Sequence, residues 1–147
     1  MSRLLLMHVD DDPDEGFLLE RALRKSGLTR WDYQYLPSGQ AALEYLARTR
    51  SGGALLPTLV VLDVRMPVMS GLEVLEWIAE NLVAMPTVML SSSELLNDRL
   101  RARDLGSRGY FSKSATFSDL LEFLRKWDET ALATKDTDAT LAGTRAF

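Results

Sequence analysis

The sequence predicts an α/β fold built on one parallel sheet, and two observations support this. Short, almost continuously apolar runs lie at residues 4–9, 59–62 and 87–90, which is typical of strands buried on both faces. Weaker strand candidates lie at 33–36 and 109–112. Longer segments with helical spacing separate these runs, so strand and helix alternate five times. We therefore expect a doubly wound (βα)5 sheet with right-handed crossovers and the flavodoxin-like strand order 2-1-3-4-5.

Each predicted helix has a recognisable start or end. A capping residue marks one end of several of these segments, and the third helix has the Ser-x-x-Glu pattern of a capping box. The predicted helices are 14–26 followed by Gly27, 38–50, one opened by Ser70 with Glu73, an arginine-rich helix 95–105 followed by Gly106, and one opened by Thr116 with Asp119.

The composition excludes several classes of function. The chain has 147 residues, no Cys, a single His and a net charge of −4. These values argue against disulfides, zinc–thiolate sites, multi-histidine metal sites and non-specific binding to nucleic acid or anionic membrane. No apolar run has the length of a membrane span, so we expect a cytoplasmic protein. We assign residues 1–130 to one domain and 131–147 to a frayed or disordered tail.

Polar residues follow four of the five predicted strands. Asp10 and Asp11 follow the first strand, Asp63 the third, Ser91 the fourth and Lys113 the fifth. Parallel strands of this order place their carboxyl ends at one edge, and ligands bind there, at the switch point between the first and third strands. We therefore expect these side chains to converge.

The predicted cluster has the chemistry of a metal-assisted phosphoryl site. Three close carboxylates repel one another, and a divalent cation relieves that repulsion. Hard oxygen ligands suit Mg²⁺, with Mn²⁺ as a substitute, and a lysine supplies a point charge to a phosphoryl oxygen. One carboxylate could be a nucleophile that forms an aspartyl phosphate. Taken singly, each group also has an ordinary structural explanation, such as a helix cap, a turn or a solvated lysine.

These motifs together resemble the receiver domain of two-component response regulators. The similarity extends from residue 3 to about residue 127, and the stretches that carry it are 9–13, 60–67, 70–73, 88–91 and 109–113. Within this family, the longer segment 47–57 is similar to stand-alone regulators that partner phytochrome-type sensor kinases.

The resemblance implies a role for each site residue. Asp63 would accept a phosphoryl group from a sensor histidine kinase or a phosphotransfer protein. Asp11 would bind Mg²⁺ directly and Asp10 through water, and the backbone carbonyl of Arg65 would be a further ligand, together with Asp63.

Three further residues would couple the modification to the protein surface. Ser91 would be the switch hydroxyl, Lys113 would pair with the phosphoryl group or with unmodified Asp63, and Tyr110 would turn inward as an aromatic switch. The surface of the fourth helix, fifth strand and fifth helix would then change, which allows a homodimer there. About 20 residues follow the matched region, so we expect a single-domain regulator whose output is protein contact, phosphate relay or phosphate sink.

Other residues carry weaker hypotheses. Ser114 stands where the family has a proline after the lysine, so we predict a trans Lys113–Ser114 bond. Alternation places His8 on one strand face with Asp10, and we predict a buried, hydrogen-bonded core histidine. The arginines at 99, 101 and 103 are either a solvated helix face or a docking surface.

Three alternative functions are weighed against the leading one. A receiver-like interaction module that is never phosphorylated is the main alternative, although all five site residues are present. A phosphohydrolase of the haloacid-dehalogenase type would need a second Asp two residues after Asp63, where Arg65 stands. A flavodoxin-like nucleotide-binding protein would need a glycine-rich loop after the first strand. We expect a non-enzymatic phosphoacceptor with slow self-dephosphorylation.

Overall fold

The computed structural model of the protein describes residues 3–92, 95–114 and 116–133. In these residues, five strands alternate with five helices. The strands are β1 (Leu4–Val9), β2 (Trp31–Leu36), β3 (Leu59–Asp63), β4 (Thr87–Ser91) and β5 (Tyr110–Ser112). The helices are α1 (Pro13–Lys25), α2 (Gly39–Arg50), α3 (Gly71–Asn81), α4 (Leu96–Asp104) and α5 (Ser118–Ala133). No helix of these residues is long and apolar enough to cross a membrane.

The strands form one parallel sheet in the order β2-β1-β3-β4-β5, as the sequence predicts. The order reverses between β1 and β3, where Val9 pairs with Leu62. The residues that follow β1 and end β3 are thereby neighbours at the carboxyl edge of the sheet.

The core has two layers because the sheet is covered on both faces. Alternate residues of β1 belong to different layers: Leu6 packs with apolar residues of α1 and α5, whereas Met7 and Val9 pack with those of α2, α3 and α4. β3 is buried along its whole length. This explains why the apolar runs are continuous instead of alternating with polar residues.

Side-chain caps begin α1, α2 and α3, and the predicted capping box is that of α3. Ser70 Oγ accepts the N–H of Glu73 at 3.2 Å, and the Glu73 carboxylate accepts the N–H of Ser70 at 3.1 Å, so the capping box is complete. Asp12 caps α1 by accepting the N–H of Asp14 at 2.9 Å. These bonds satisfy N–H groups that have no partner inside the helix.

The start of α5 differs from the prediction. The helix begins at Ser118, and Thr116 is an exposed turn residue. Phe117 lies between them with φ 53°, its side chain 2% exposed in the core, and its carbonyl accepts the N–H of Leu121 at 2.9 Å. Burial of this ring therefore sets the helix start. The tail was predicted over residues 131–147, and its residues from 134 onward lie outside the described part of the chain. The domain boundary therefore stays a prediction.

We predict that Gly71→Ala destabilises the fold by at least about 2 kcal/mol, because the new methyl group overlaps backbone. A Cβ at this position would lie 2.1 Å from the carbonyl oxygen of Asp63. The matched control is Gly53→Ala, whose Cβ would meet nothing closer than 3.5 Å and should change stability by less than about 0.5 kcal/mol. Urea unfolding measures both, and equal midpoints for the two variants would contradict the prediction.

Candidate functional site

Three carboxylates meet at the carboxyl edge of the sheet. Asp10 directly follows β1, Asp11 opens the next loop, and Asp63 is the last residue of β3. Each offers one oxygen, and these three oxygens lie within 4.8 Å of one another. Asp10 and Asp63 are buried, whereas Asp11 is exposed. The convergence predicted from the sequence is therefore present.

Asp10 is held in place by several hydrogen bonds. Its Oδ1 accepts the N–H of Asp12 at 2.9 Å, and its backbone carbonyl accepts the hydroxyl of Tyr35 at 2.6 Å. Its Oδ2 accepts the ammonium group of Lys113 at 2.8 Å. A carboxylate that is fully buried needs such partners, because its transfer from water is otherwise costly.

Lys113 bridges the two buried carboxylates. Its Nζ lies 2.8 Å from Asp10 Oδ2 and 3.3 Å from Asp63 Oδ1. Its backbone N–H donates to the carbonyl of Ser91 at 2.7 Å, which ties the residue after β5 to the end of β4. We expected a pair with unmodified Asp63, and this pair is present; the contact of Lys113 with Asp10 is closer.

The surroundings raise the pKa of Asp63 to about 7. Burial is the main cause and the charge of Asp10 adds to it, whereas Lys113 and the N–H of Arg65 oppose the shift. Burial also lowers the pKa of Lys113, but its hydrogen bond to Asp10 and the charges of Asp63 and Asp10 raise it to a net value above the ordinary one. The site therefore favours additional positive charge beside Asp63.

The ligand set fits Mg²⁺. Its described donors are carboxylate oxygens, which hard divalent cations prefer. Arg65 lies two residues after Asp63, and its N–H lies 3.4 Å from Asp63 Oδ1. The Arg65 side chain pairs with Asp98 of α4. Asp10, Asp11 and Asp63 therefore lie together, and the Arg65 carbonyl as a further ligand stays a prediction.

The two switch candidates lie on the neighbouring strands. Ser91 ends β4 and is 1% exposed, and Tyr110 begins β5 and is 4% exposed. We expected Tyr110 to turn inward in the modified protein; its side chain is already buried here, and its role as a switch stays a prediction. Arg99 of α4 lies over its ring, 5.6 Å from the centroid.

The prediction for His8 is confirmed, and its neighbours add to the site. His8 is fully buried, and its Nδ1 lies 2.8 Å from the hydroxyl oxygen of Tyr33. Burial, reinforced by the charge of Lys113, lowers its pKa to about 3, so the ring is neutral. The sequence analysis did not identify Tyr33 and Tyr35 as neighbours of the site. They alternate in the second predicted strand, which the expected order places beside the first strand, and this pattern could have indicated them.

The remaining hypotheses have mixed outcomes. None of the described peptide bonds is cis, so the Lys113–Ser114 bond is trans as predicted. In the basic cluster of α4, Arg101 pairs with Glu76 of α3 and Arg103 lies 3.7 Å from Asp104. Exposed ion pairs of this kind fit a solvated face and leave the docking hypothesis untested.

Comparison with known proteins gives a consistent result. The family model described as "Response regulator receiver domain" matches residues 6–125. A probable methanogenesis regulatory protein, FilR2 of Methanothrix harundinacea, is 36% identical over 118 residues, covering 79% of this chain and 76% of FilR2. The chain spans about half the length of the Mycobacterium tuberculosis regulators TrcR and TcrX, which it also matches.

Solved structures share the fold. The phosphorylated cyanobacterial phytochrome response regulator RcpA is 28% identical with a TM-score of 0.74, over 89% of this chain and 95% of RcpA. Thermotoga maritima TrrA, in complex with Mg²⁺ and BeF, is 26% identical with a TM-score of 0.70, over 84% of this chain and 97% of TrrA.

We predict that Asp63→Asn stabilises the fold at alkaline pH by about 1–2 kcal/mol. Because the pKa of Asp63 is raised from 3.8 to about 7, the folded chain holds its proton longer than the unfolded chain as the pH rises. The free energy of unfolding of the parent therefore falls as the pH rises from about 4 to about 7. The Asp63→Asn variant has no such carboxyl group and does not lose this stability. Loss of the Lys113 attraction limits the gain.

Urea unfolding without divalent ions at pH 4.5 and pH 8 measures this difference. The matched control is Asp104→Asn, since the Asp104 side chain is 72% exposed. A variant no more stable than the parent at pH 8 would contradict the assignment of Asp63 as a destabilised carboxylate.

Proposed function

The chain belongs to the response regulator receiver domain family, and we propose that Asp63 is the residue on which it accepts a phosphoryl group. The observation that carries this proposal is the buried carboxylate of Asp63, with a raised pKa, beside two carboxylates and Lys113. The proposed donor is a phosphohistidine of a sensor histidine kinase or a phosphotransfer protein, and the reaction would occur in the cytoplasm.

In the proposed reaction, an oxygen of Asp63 forms a bond to phosphorus. The phosphorus–nitrogen bond of the donor breaks, and its electron pair returns to the donor imidazole. Mg²⁺, held by Asp10, Asp11, Asp63 and the Arg65 carbonyl, would neutralise charge on the carboxylates and on the transferring phosphoryl group. Lys113 lies 3.3 Å from Asp63 Oδ1, so its charge would add to that of the metal in favouring the ionised carboxylate that attacks.

The new group would redistribute the contacts around Asp63. A phosphoryl group adds negative charge and three acceptor oxygens, which attract Lys113 and the Ser91 hydroxyl. Movement of Ser91 shifts the start of the β4–α4 loop, and Tyr110 and Arg99 link that region to α4 and β5. The proposed output surface is therefore α4-β5-α5, which could bind a protein target or a second copy of the chain.

Two finer features belong to the same proposal. Slow self-dephosphorylation is expected, because water can attack the phosphoryl group when no partner covers the exposed Asp11 side of the site. An interaction module that is never phosphorylated is the competing function. It would have no use for a carboxylate kept at a raised pKa in the site.

We predict Mg²⁺-dependent labelling of the protein by acetyl phosphate at Asp63. Intact mass should increase by one phosphoryl group, and Asp63→Asn should abolish the increase because the nucleophilic oxygen is gone. Asp104→Asn is the control and should label like the parent. Equal labelling of Asp63→Asn would move the acceptor elsewhere, and no labelling of the parent would favour the unphosphorylated module.

Mg²⁺ should also stabilise the folded protein. At a free concentration ten times Kd, binding adds about 1.4 kcal/mol to the free energy of unfolding and raises Tm by roughly 3 °C. Asp11→Asn should lose most of this gain, because it replaces a charged carboxylate ligand by a neutral amide, and Asp11 takes no part in the Lys113 bridge. Differential scanning fluorimetry with Asp104→Asn as control measures the shift, and an equal gain in Asp11→Asn would exclude Asp11 as a ligand.

A further inference from the structure

The helix α4 packs weakly on the core. Ala102 is its one buried residue, and Leu96 and Leu100 are exposed. No side-chain hydrogen bond caps its start at Leu95. Most helices in folded proteins are held by an apolar face that packs on the core. The position of α4 therefore depends more than usual on its polar contacts with neighbouring elements.

Ion pairs connect α4 to two other elements. Asp98, in its first turn, pairs with Arg65 of the β3–α3 loop, and Arg101 pairs with Glu76 of α3. The Asp98 side chain is 15% exposed, whereas those of Arg101 and Glu76 are 54% and 43% exposed. Solvent screens the exposed pair, so it contributes little to stability. Asp98 is more sheltered from water and depends more strongly on its cation.

Arg65 also lies beside the proposed acceptor. Its backbone N–H is 3.4 Å from Asp63 Oδ1. The residue between them is fixed, because the N–H of Val64 donates to the carbonyl of Leu90 and its carbonyl accepts the N–H of Gly71, both at 3.0 Å. The backbone of Arg65 is therefore held at the carboxylate, while its side chain reaches α4.

We propose that the Arg65–Asp98 ion pair couples the acceptor site to α4, with Asp98 as a positioning residue that engages the Arg65 guanidinium until a phosphoryl group on Asp63 competes for it. This inference rests on the proposed function. A phosphoryl group adds negative charge and three acceptor oxygens beside the backbone of Arg65, and a guanidinium binds such oxygens through several N–H groups at once. The half-exposed guanidinium turns towards them, and Asp98 loses its cation.

Loss of this pair would release the first turn of α4. That turn has no side-chain cap and little core packing to hold it in place. The coupling also acts in the opposite direction, because linkage between two sites is reciprocal. Weakening the pair must favour the modified state by the same factor by which modification weakens the pair. An ordinary surface ion pair would show no such dependence on the state of Asp63.

The affinity for beryllium fluoride in the presence of Mg²⁺, followed by ¹⁹F NMR, tests the coupling. Asp98→Asn should tighten this binding by at least about fivefold, which is the lower end of typical coupling between sites. In an Arg65→Gln background the same substitution should change the affinity by less than about twofold, because no guanidinium remains to be shared. An unchanged affinity in Asp98→Asn alone would overturn the proposal.

The matched control is Glu76→Gln, which breaks the other ion pair of α4 without touching Arg65. Its affinity for beryllium fluoride should equal that of the parent. An equal gain in Glu76→Gln and Asp98→Asn would refute the proposal, because general loosening of α4 would then be the cause.

Hydrogen exchange of the α4 amides separates this inference from the proposed function. Asp63→Glu moves a carboxylate further out of the site without phosphoryl chemistry, and Asp63→Gln is its control of equal length without the charge. Exchange over residues 96–104 should be faster in Asp63→Glu than in Asp63→Gln, and Arg65→Gln should abolish this difference.

If the parent binds no beryllium fluoride, the proposed function fails, and the exchange comparison alone decides. Faster exchange in Asp63→Glu that depends on Arg65 would support the coupling of this carboxylate to α4. Equal exchange in Asp63→Glu and Asp63→Gln would refute it.

Discussion

Two carboxylates, those of Asp10 and Asp63, are buried side by side at the ends of adjacent strands, and their repulsion governs the rest of the site. The fold brings them together because β1 and β3 are neighbours at the point where strand order reverses. Burial, with the charge of Asp10 added to it, keeps the pKa of Asp63 raised although Lys113 contacts both carboxylates. A divalent cation or a phosphoryl group therefore enters a site in which one lysine faces two buried carboxylates.

The fold and most of the site could be predicted from the sequence, because both depend on strong one-dimensional signals. Continuous apolar runs indicate strands covered on both faces, and β3, buried along its whole length, is such a strand. Once five parallel strands are expected, the residues that follow them must share an edge. The motif of Ser70 and Glu73 fixed the start of α3 just as reliably, because a capping box is a local interaction.

The features that could not be predicted depend on side-chain packing between distant segments. The start of α5 shifted because the ring of Phe117 enters the core, which capping preferences do not encode. The closer pairing of Lys113 with Asp10 depends on the depth of each carboxylate, and the contact of His8 with Tyr33 depends on strand register. Sequence alternation placed His8 beside Asp10 but could not show which nitrogen had a partner.

The shared lysine also limits how such a sequence can change over evolutionary time. Loss of Lys113 before either carboxylate would leave two buried acids without their bridging cation, an intermediate that selection for folding would remove. Loss of Asp10 or Asp63 first would leave the lysine with one partner and a tolerable charge balance. Related sequences that have lost the phosphoryl chemistry should therefore keep the lysine longer than they keep both carboxylates. A lysine at this position without both acids would indicate an ancestor that had the complete site.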